Sequence, residues 1–107
     1  MFTLILIGEL DRSSTIELET AIEGLCEREV AGITLDLSKL TRIDATAVAV
    51  IVFRCHWCRQ RGYEFALVPG AADVQRTFEQ AGALEQLPFI EQAPPSEEDS
   101  HTAILHA

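Results

Sequence analysis

Apolar residues recur along this chain with two different periods, and the alternation between those periods outlines the fold. Phe2 to Glu9 is rich in branched residues and runs into Gly8-Glu9-Leu10-Asp11, the pattern of a strand entering a turn. Ser14-Thr15-Ile16-Glu17 has the spacing of a capping box, with a hydroxyl before the helix and a glutamate three residues on. Leu18, Ala21, Ile22 and Leu25 follow at helical spacing, while Glu17, Glu19, Glu23 and Glu27 spread over the other faces. Gly32 releases the chain into Ile33-Thr34-Leu35-Asp36-Leu37, a short alternating strand. After a short loop, a second helix is expected from about Ala45 to Arg61, stopped by Gly62. Tyr63 to Val68 reads as a third strand, closed by Pro69-Gly70. Ala72 to Ala81 reads as a short helix with Val74, Phe78 and Ala81 on one face. Leu87-Pro88-Phe89-Ile90 suits a short edge strand, since Pro88 argues against a central one.

Turned at about 100° per residue, the second helix separates into two apolar stripes. Val48, Ile51, Val52, Cys55 and Cys58 share one face, which is expected to bury against a sheet. Thr46, Val50, Phe53 and Trp57 share the opposite face, where a helix lying on a sheet normally shows water a polar surface. An exposed patch containing Trp and Phe has the make-up of a protein-binding hot spot. Val50, Phe53, Arg54 and Trp57 are therefore the candidate partner-binding residues, with Arg54, Arg59 and Arg61 as charges at the rim. Strands alternating with helices indicate an α/β fold, a small mixed sheet with helices packed on it.

Composition narrows the possibilities. The chain has 107 residues, enough for one domain with a core of its own. Its net charge of -9 and single lysine, Lys39, argue against nucleic acid, which demands clustered basic residues. No apolar run approaches the roughly 20 residues that span a bilayer, so membrane insertion is not expected. The apolar start lacks a basic leader and a small-residue cleavage site, and a cytoplasmic location is expected. Residues 92–107 contain Pro94-Pro95-Ser96-Glu97-Glu98-Asp99, a composition of acidic, flexible tails, so the folded domain is expected over 1–91.

The segment Asp36-Leu37-Ser38-Lys39-Leu40-Thr41-Arg42-Ile43-Asp44-Ala45-Thr46-Ala47-Val48-Ala49 carries a resemblance. It resembles the signature of STAS domains, in which Asp-Leu-Ser leads to Ile/Met-Asp-Ser-Ser/Thr-Gly and an apolar helix. Gly8-Glu9-Leu10-Asp11, Arg61-Gly62 before an apolar strand, and Val74 to Leu84 are similar to further family blocks. The resemblance implies a non-catalytic module of the anti-sigma-factor antagonist kind. Its partner would be an anti-sigma factor of the ATPase-kinase type. A second implied role is that of a regulatory subunit seated on the ATPase of an ABC transporter, as in phospholipid transport. The family phosphorylates the serine after the aspartate, and here that position is Ala45; the family glycine is Ala47. Asp44, Ala45, Thr46 and Ala47 thus form the signature loop, and the Thr46 hydroxyl, one residue late, is the candidate phosphorylation site. The family also places a strand before the Gly-Glu-Leu-Asp strand. It is missing here, which would leave one strand edge open unless a partner or the tail covers it.

The cysteines and the motif content bear on two other chemistries. Cys55-His56-Trp57-Cys58 is a CxxC, but it falls deep in a helix, away from the helix start whose dipole would acidify a thiol. A zinc site needs two further ligands, and with Cys26 as the only other cysteine no metal is expected. A redox or metal-sensing role for Cys55 and Cys58 remains an alternative to inert, buried thiols. Glycine-rich phosphate loops, nucleophile elbows and HExxH are all absent from the sequence, so neither an enzyme nor a cofactor is expected.

Overall fold

β1 (Phe2–Leu10) is the strand with which three others pair in the computed structural model, which describes residues 2–28, 30–90 and 101–107. It is followed by α1 (Thr15–Glu27), β2 (Gly32–Asp36), β3 (Leu40–Ile43), α2 (Ala45–Gln60), β4 (Glu64–Val68), α3 (Ala72–Gln80) and β5 (His101–His106). The sheet order is β3-β1-β2-β4, with β5 also on β1. All pairings among the described strands are parallel, so the expected α/β domain is built without the mixed pairing.

One edge of β1 is shared by two strands in succession. β5 pairs with it from Phe2↔His101 to Ile7↔His106, and β3 then takes over from Gly8↔Leu40 to Leu10↔Ile43. The handover occurs at a register shift between Gly8 and Glu9. Gly8 has φ +100, and a Cβ there would lie 2.9 Å from the Ala107 carbonyl oxygen, so a side chain is excluded twice over. The edge of β1 from Phe2 to Ile7, expected to stand open unless the tail covered it, is therefore occupied by β5. Where a flexible tail was expected, 101–106 is a strand; residues 91–100 lie outside those described.

Alternation along the strands decides the core. Phe2, Leu4 and Leu6 of β1, Ile33 and Leu35 of β2, and Phe65 and Leu67 of β4 are buried together. Leu18 and Ile22 of α1, Val48, Ile51, Cys55 and Cys58 of α2, and Val74 and Phe78 of α3 join the same cluster. Ala103 and Leu105 of β5 pack against it at the level of Leu4 and Leu6.

Three local expectations change. The loop before the second helix contains β3, whose Leu40 and Ile43 are buried while Thr41 and Arg42 face out. The segment around Phe89 makes one bridge to Leu67 in place of a full edge strand. Ser14 precedes α1 but has φ -99, ψ -5, a helical conformation that leaves its side chain without a capping bond. Its hydroxyl instead accepts from the Asp11 amide at 3.0 Å.

Candidate functional site

The start of α2 is built by Asp44. Its extended backbone turns the chain out of β3, and its Oδ1 accepts from the Ala47 amide at 2.9 Å, capping the helix. Oδ2 accepts from the Arg12 amide at 3.1 Å, and the Asp44 amide donates to the Leu10 carbonyl at 3.1 Å. One carboxylate thus ties the helix start to the turn after β1. That turn is wound on Asp11, whose Oδ1 accepts from the Ser13 hydroxyl at 2.6 Å and the Ser13 amide at 2.9 Å. The Ser13 hydroxyl bond is the chief cause holding the Asp11 carboxyl below its usual range. Asp36 winds the corner between β2 and β3, accepting from the Ser38 amide and hydroxyl.

On this frame Ala45 and Thr46 stand exposed in the first turn, while Ala47 and Val48 are buried. Thr46 is thus on the solvent side of the turn, whereas Ala47 faces the core. Further along, Ala49 is exposed, Val50 is half-buried, and Phe53 is 57% exposed. Thr46, Val50 and Phe53 therefore lie on the outer side of α2, as the stripe predicted.

Arg54 and Trp57 are placed otherwise. Arg54, expected as a charge at the rim, is buried, because it turns across to α1. Its Nε donates to Glu19 at 3.0 Å and its Nη2 to Glu23 at 2.5 Å. Burial alone would lower the Arg54 pKa, but the bonds to the two glutamates outweigh it and the net shift is upward. Trp57 is half-buried against the core and held between cations, with the Arg61 guanidinium 4.1 Å and that of Arg54 4.9 Å from its ring centroid. It lines a shallow cleft with Glu23, Cys26, Glu27, Arg61 and Tyr63.

The residue that sequence reasoning missed is Ile16, 70% exposed in the first turn of α1. Three and seven residues before Glu19 and Glu23, it shares their side of α1, which meets α2 through Arg54. The signal was present: Ile16 is apolar yet off the Leu18-Ile22-Leu25 stripe. Ile16 and Phe53 are two large exposed apolar side chains on adjacent helices, around a cluster in which buried Arg54 meets the partly exposed Glu19 and Glu23.

The cysteines are interior. Cys26, Cys55 and Cys58 are all buried and free, and Cys58 lies beside Cys26 of α1. Burial is the first cause raising all three thiols, with Cys58 pushed up to about 12. Among the described residues no group of three or more His, Cys, Asp or Glu side chains is arranged to hold a metal. No described helix is long and apolar enough to cross a membrane.

The strand-loop-helix frame around Asp44 is that of a family, and residues 1–95 match the STAS domain. The chain belongs to the STAS domain family. Among solved structures, it is similar to the anti-sigma factor antagonist SpoIIAA in its unphosphorylated form, with a TM-score of 0.68 and 19% identity. That match covers 82% of this chain and 79% of the other, and it shows a shared fold. No curated protein matches the chain. Within this STAS domain, the signature loop places a methyl group, Ala45, at the first helical position and a hydroxyl, Thr46, at the second.

Proposed function

We propose that this STAS domain is a non-catalytic antagonist module that binds an anti-sigma factor of the ATPase-kinase type through the outer side of α2 and the start of α1. The observation that carries this reading is the pair Ile16 and Phe53, exposed on adjacent helices next to an open helix start. Exposed aromatic and branched residues gain most when a partner covers them. Thr46 is the acceptor this face offers to a kinase. A phosphate there would lie at a helix N-terminus, whose dipole and amides favour it, and would add nearly two negative charges beside Asp44. Repulsion from an acidic kinase surface would then release the complex.

The test is incubation of the wild type, Thr46→Ala and Ala45→Ser with such a kinase and ATP, followed by intact-mass analysis. Wild type is expected to gain one phosphate, Thr46→Ala none, and Ala45→Ser an additional acceptor at the family position. A phosphate that persists in Thr46→Ala removes Thr46 from the proposal. Ala45 also favours a second reading, a STAS subunit that regulates a transporter ATPase without phosphorylation. Such a protein would stay unmodified in all three forms and co-purify with an ABC ATPase.

A further inference from the structure

The two edges of the sheet are finished differently. Beyond β4 the chain caps the strand itself. The Leu67 amide donates to the Pro88 carbonyl at 3.1 Å, and the Ile90 amide donates to the Leu67 carbonyl at 2.8 Å. Beyond β5, no strand lies among the described residues. The Ala107 amide donates to the Ile7 carbonyl at 2.8 Å. Backbone groups alternate sides along a strand, so Ala103, Leu105 and Ala107 form the inward set. The amides and carbonyls of Thr102, Ile104 and His106 accordingly point away from β1. Edge strands are ordinarily protected by charge, proline or a bulge. β5 reads His-Thr-Ala-Ile-Leu-His, with no Lys, Arg, Asp, Glu or Pro, and its register against β1 is unbroken. Its Ile104 side chain is 57% exposed.

We propose that β5 is a self-association edge, and that a second copy of this chain pairs with it, antiparallel about a twofold axis at Ile104. Self-complementarity is what selects the second copy. The outward residues Thr102, Ile104 and His106 are symmetric about Ile104. A twofold axis there sets Ile104 against Ile104 and Thr102 against His106 in both directions. Every outward amide of the three then finds an outward carbonyl, with none left over. The exposed Ile104 side chains meet as a cross-strand pair on one face of the extended sheet. The net charge of -9 on each copy opposes association in general and keeps the dimer weak, but β5 brings no acidic side chain to the contact. A contact of a single strand is small, and the dimer is accordingly a weak one. This inference stands apart from the antagonist reading, since it uses neither α2 nor Thr46.

Sedimentation equilibrium of the full chain, from roughly 10 μM to 1 mM, tests it, a range matched to the weak affinity of small interfaces. The average mass of the wild type is expected to climb from monomer towards dimer. Ile104→Pro removes an outward amide at the centre and leaves the bonds of Ala103, Leu105 and Ala107 to β1 in place, as an edge strand allows. Ile104→Lys sets two ammonium groups face to face. Both variants should weaken association about tenfold or more, the loss expected when a central pair is broken or made repulsive. Amide exchange reports the same edge directly. Thr102, Ile104 and His106 should be slow at high concentration and fast on dilution, while Ala103, Leu105 and Ala107 stay slow at both. Slow exchange at those inward positions in Ile104→Lys shows that β5 is still docked. A wild type that stays monomeric throughout the range overturns the proposal, as does association that survives both variants.

Discussion

Phe53 and Trp57 belong to one sequence stripe on α2 and have different roles. Phe53 is mostly in solvent, whereas Trp57 leans on the core between two guanidinium groups. Phe53→Ala and Ile16→Ala are expected to weaken partner binding by about 2 kcal/mol each, the usual loss at an anchor, and to leave the melting temperature nearly unchanged. Trp57→Ala should lower both, and calorimetry beside a binding titration separates the two. Periodicity located this stripe correctly but could not see how far each side chain reaches. Arg54 shows the limit best. Its position on α2 suggested an exposed charge, and only the packing of α1 alongside reveals Glu19 and Glu23 within reach. Arg54→Ala strands two partly exposed carboxylates and should cost about 1–2 kcal/mol in urea unfolding, below the figure for a fully buried pair. Arg54→Lys should recover little of it, because one ammonium cannot serve two glutamates and stack on Trp57 as well.

Among the elements, β1, α1, β2, α2, β4 and α3 were legible because each carries a clear period and a turn signal at its end. β3 and β5 were not. β3 has four residues, only two of them buried, too few for alternation to register. β5 follows an acidic, proline-containing stretch that masks the six residues behind it, and it becomes a strand because β1 offers an open edge. Gly8 is where that edge changes hands, so it tests the arrangement. Gly8→Ala forces a side chain into φ +100 and against the Ala107 carbonyl. A loss of about 1–3 kcal/mol is expected, typical of a strained backbone position. Faster amide exchange at Ala103 and Leu105 than in β2 would show that β5 loosens first.

At the scale of the whole molecule, pH acts on the interior through its thiols. An unfolded cysteine titrates near 9.0, and Cys58 in the fold is pushed up to about 12. Between those values the unfolded chain gives up its proton while the folded chain keeps it. The contribution of Cys58 is therefore full below pH 9.0 and falls as pH rises toward about 12, by up to roughly 1.4 kcal/mol per pH unit. Cys58→Ala should flatten this decline in alkaline unfolding curves. Asp11 acts at the other end with the opposite sign, since its pKa is lowered. Its contribution is present above 3.8 and disappears as pH falls through the lowered value.

The parallel pairing of β5 with β1 also sets an order in time. β1 leaves the ribosome well before β5, with every other described element between them, yet the two lie side by side. β2 and β3 can pair with β1, and β4 with β2, while synthesis continues, but the edge beside Phe2 to Ile7 has to wait. Contacts between such distant parts of a chain form slowly, because a long loop must close first. Throughout that wait the nascent domain presents a strand of Leu and Ile with unpaired amides, and a chaperone or a neighbouring chain on the same message can reach it before β5 does.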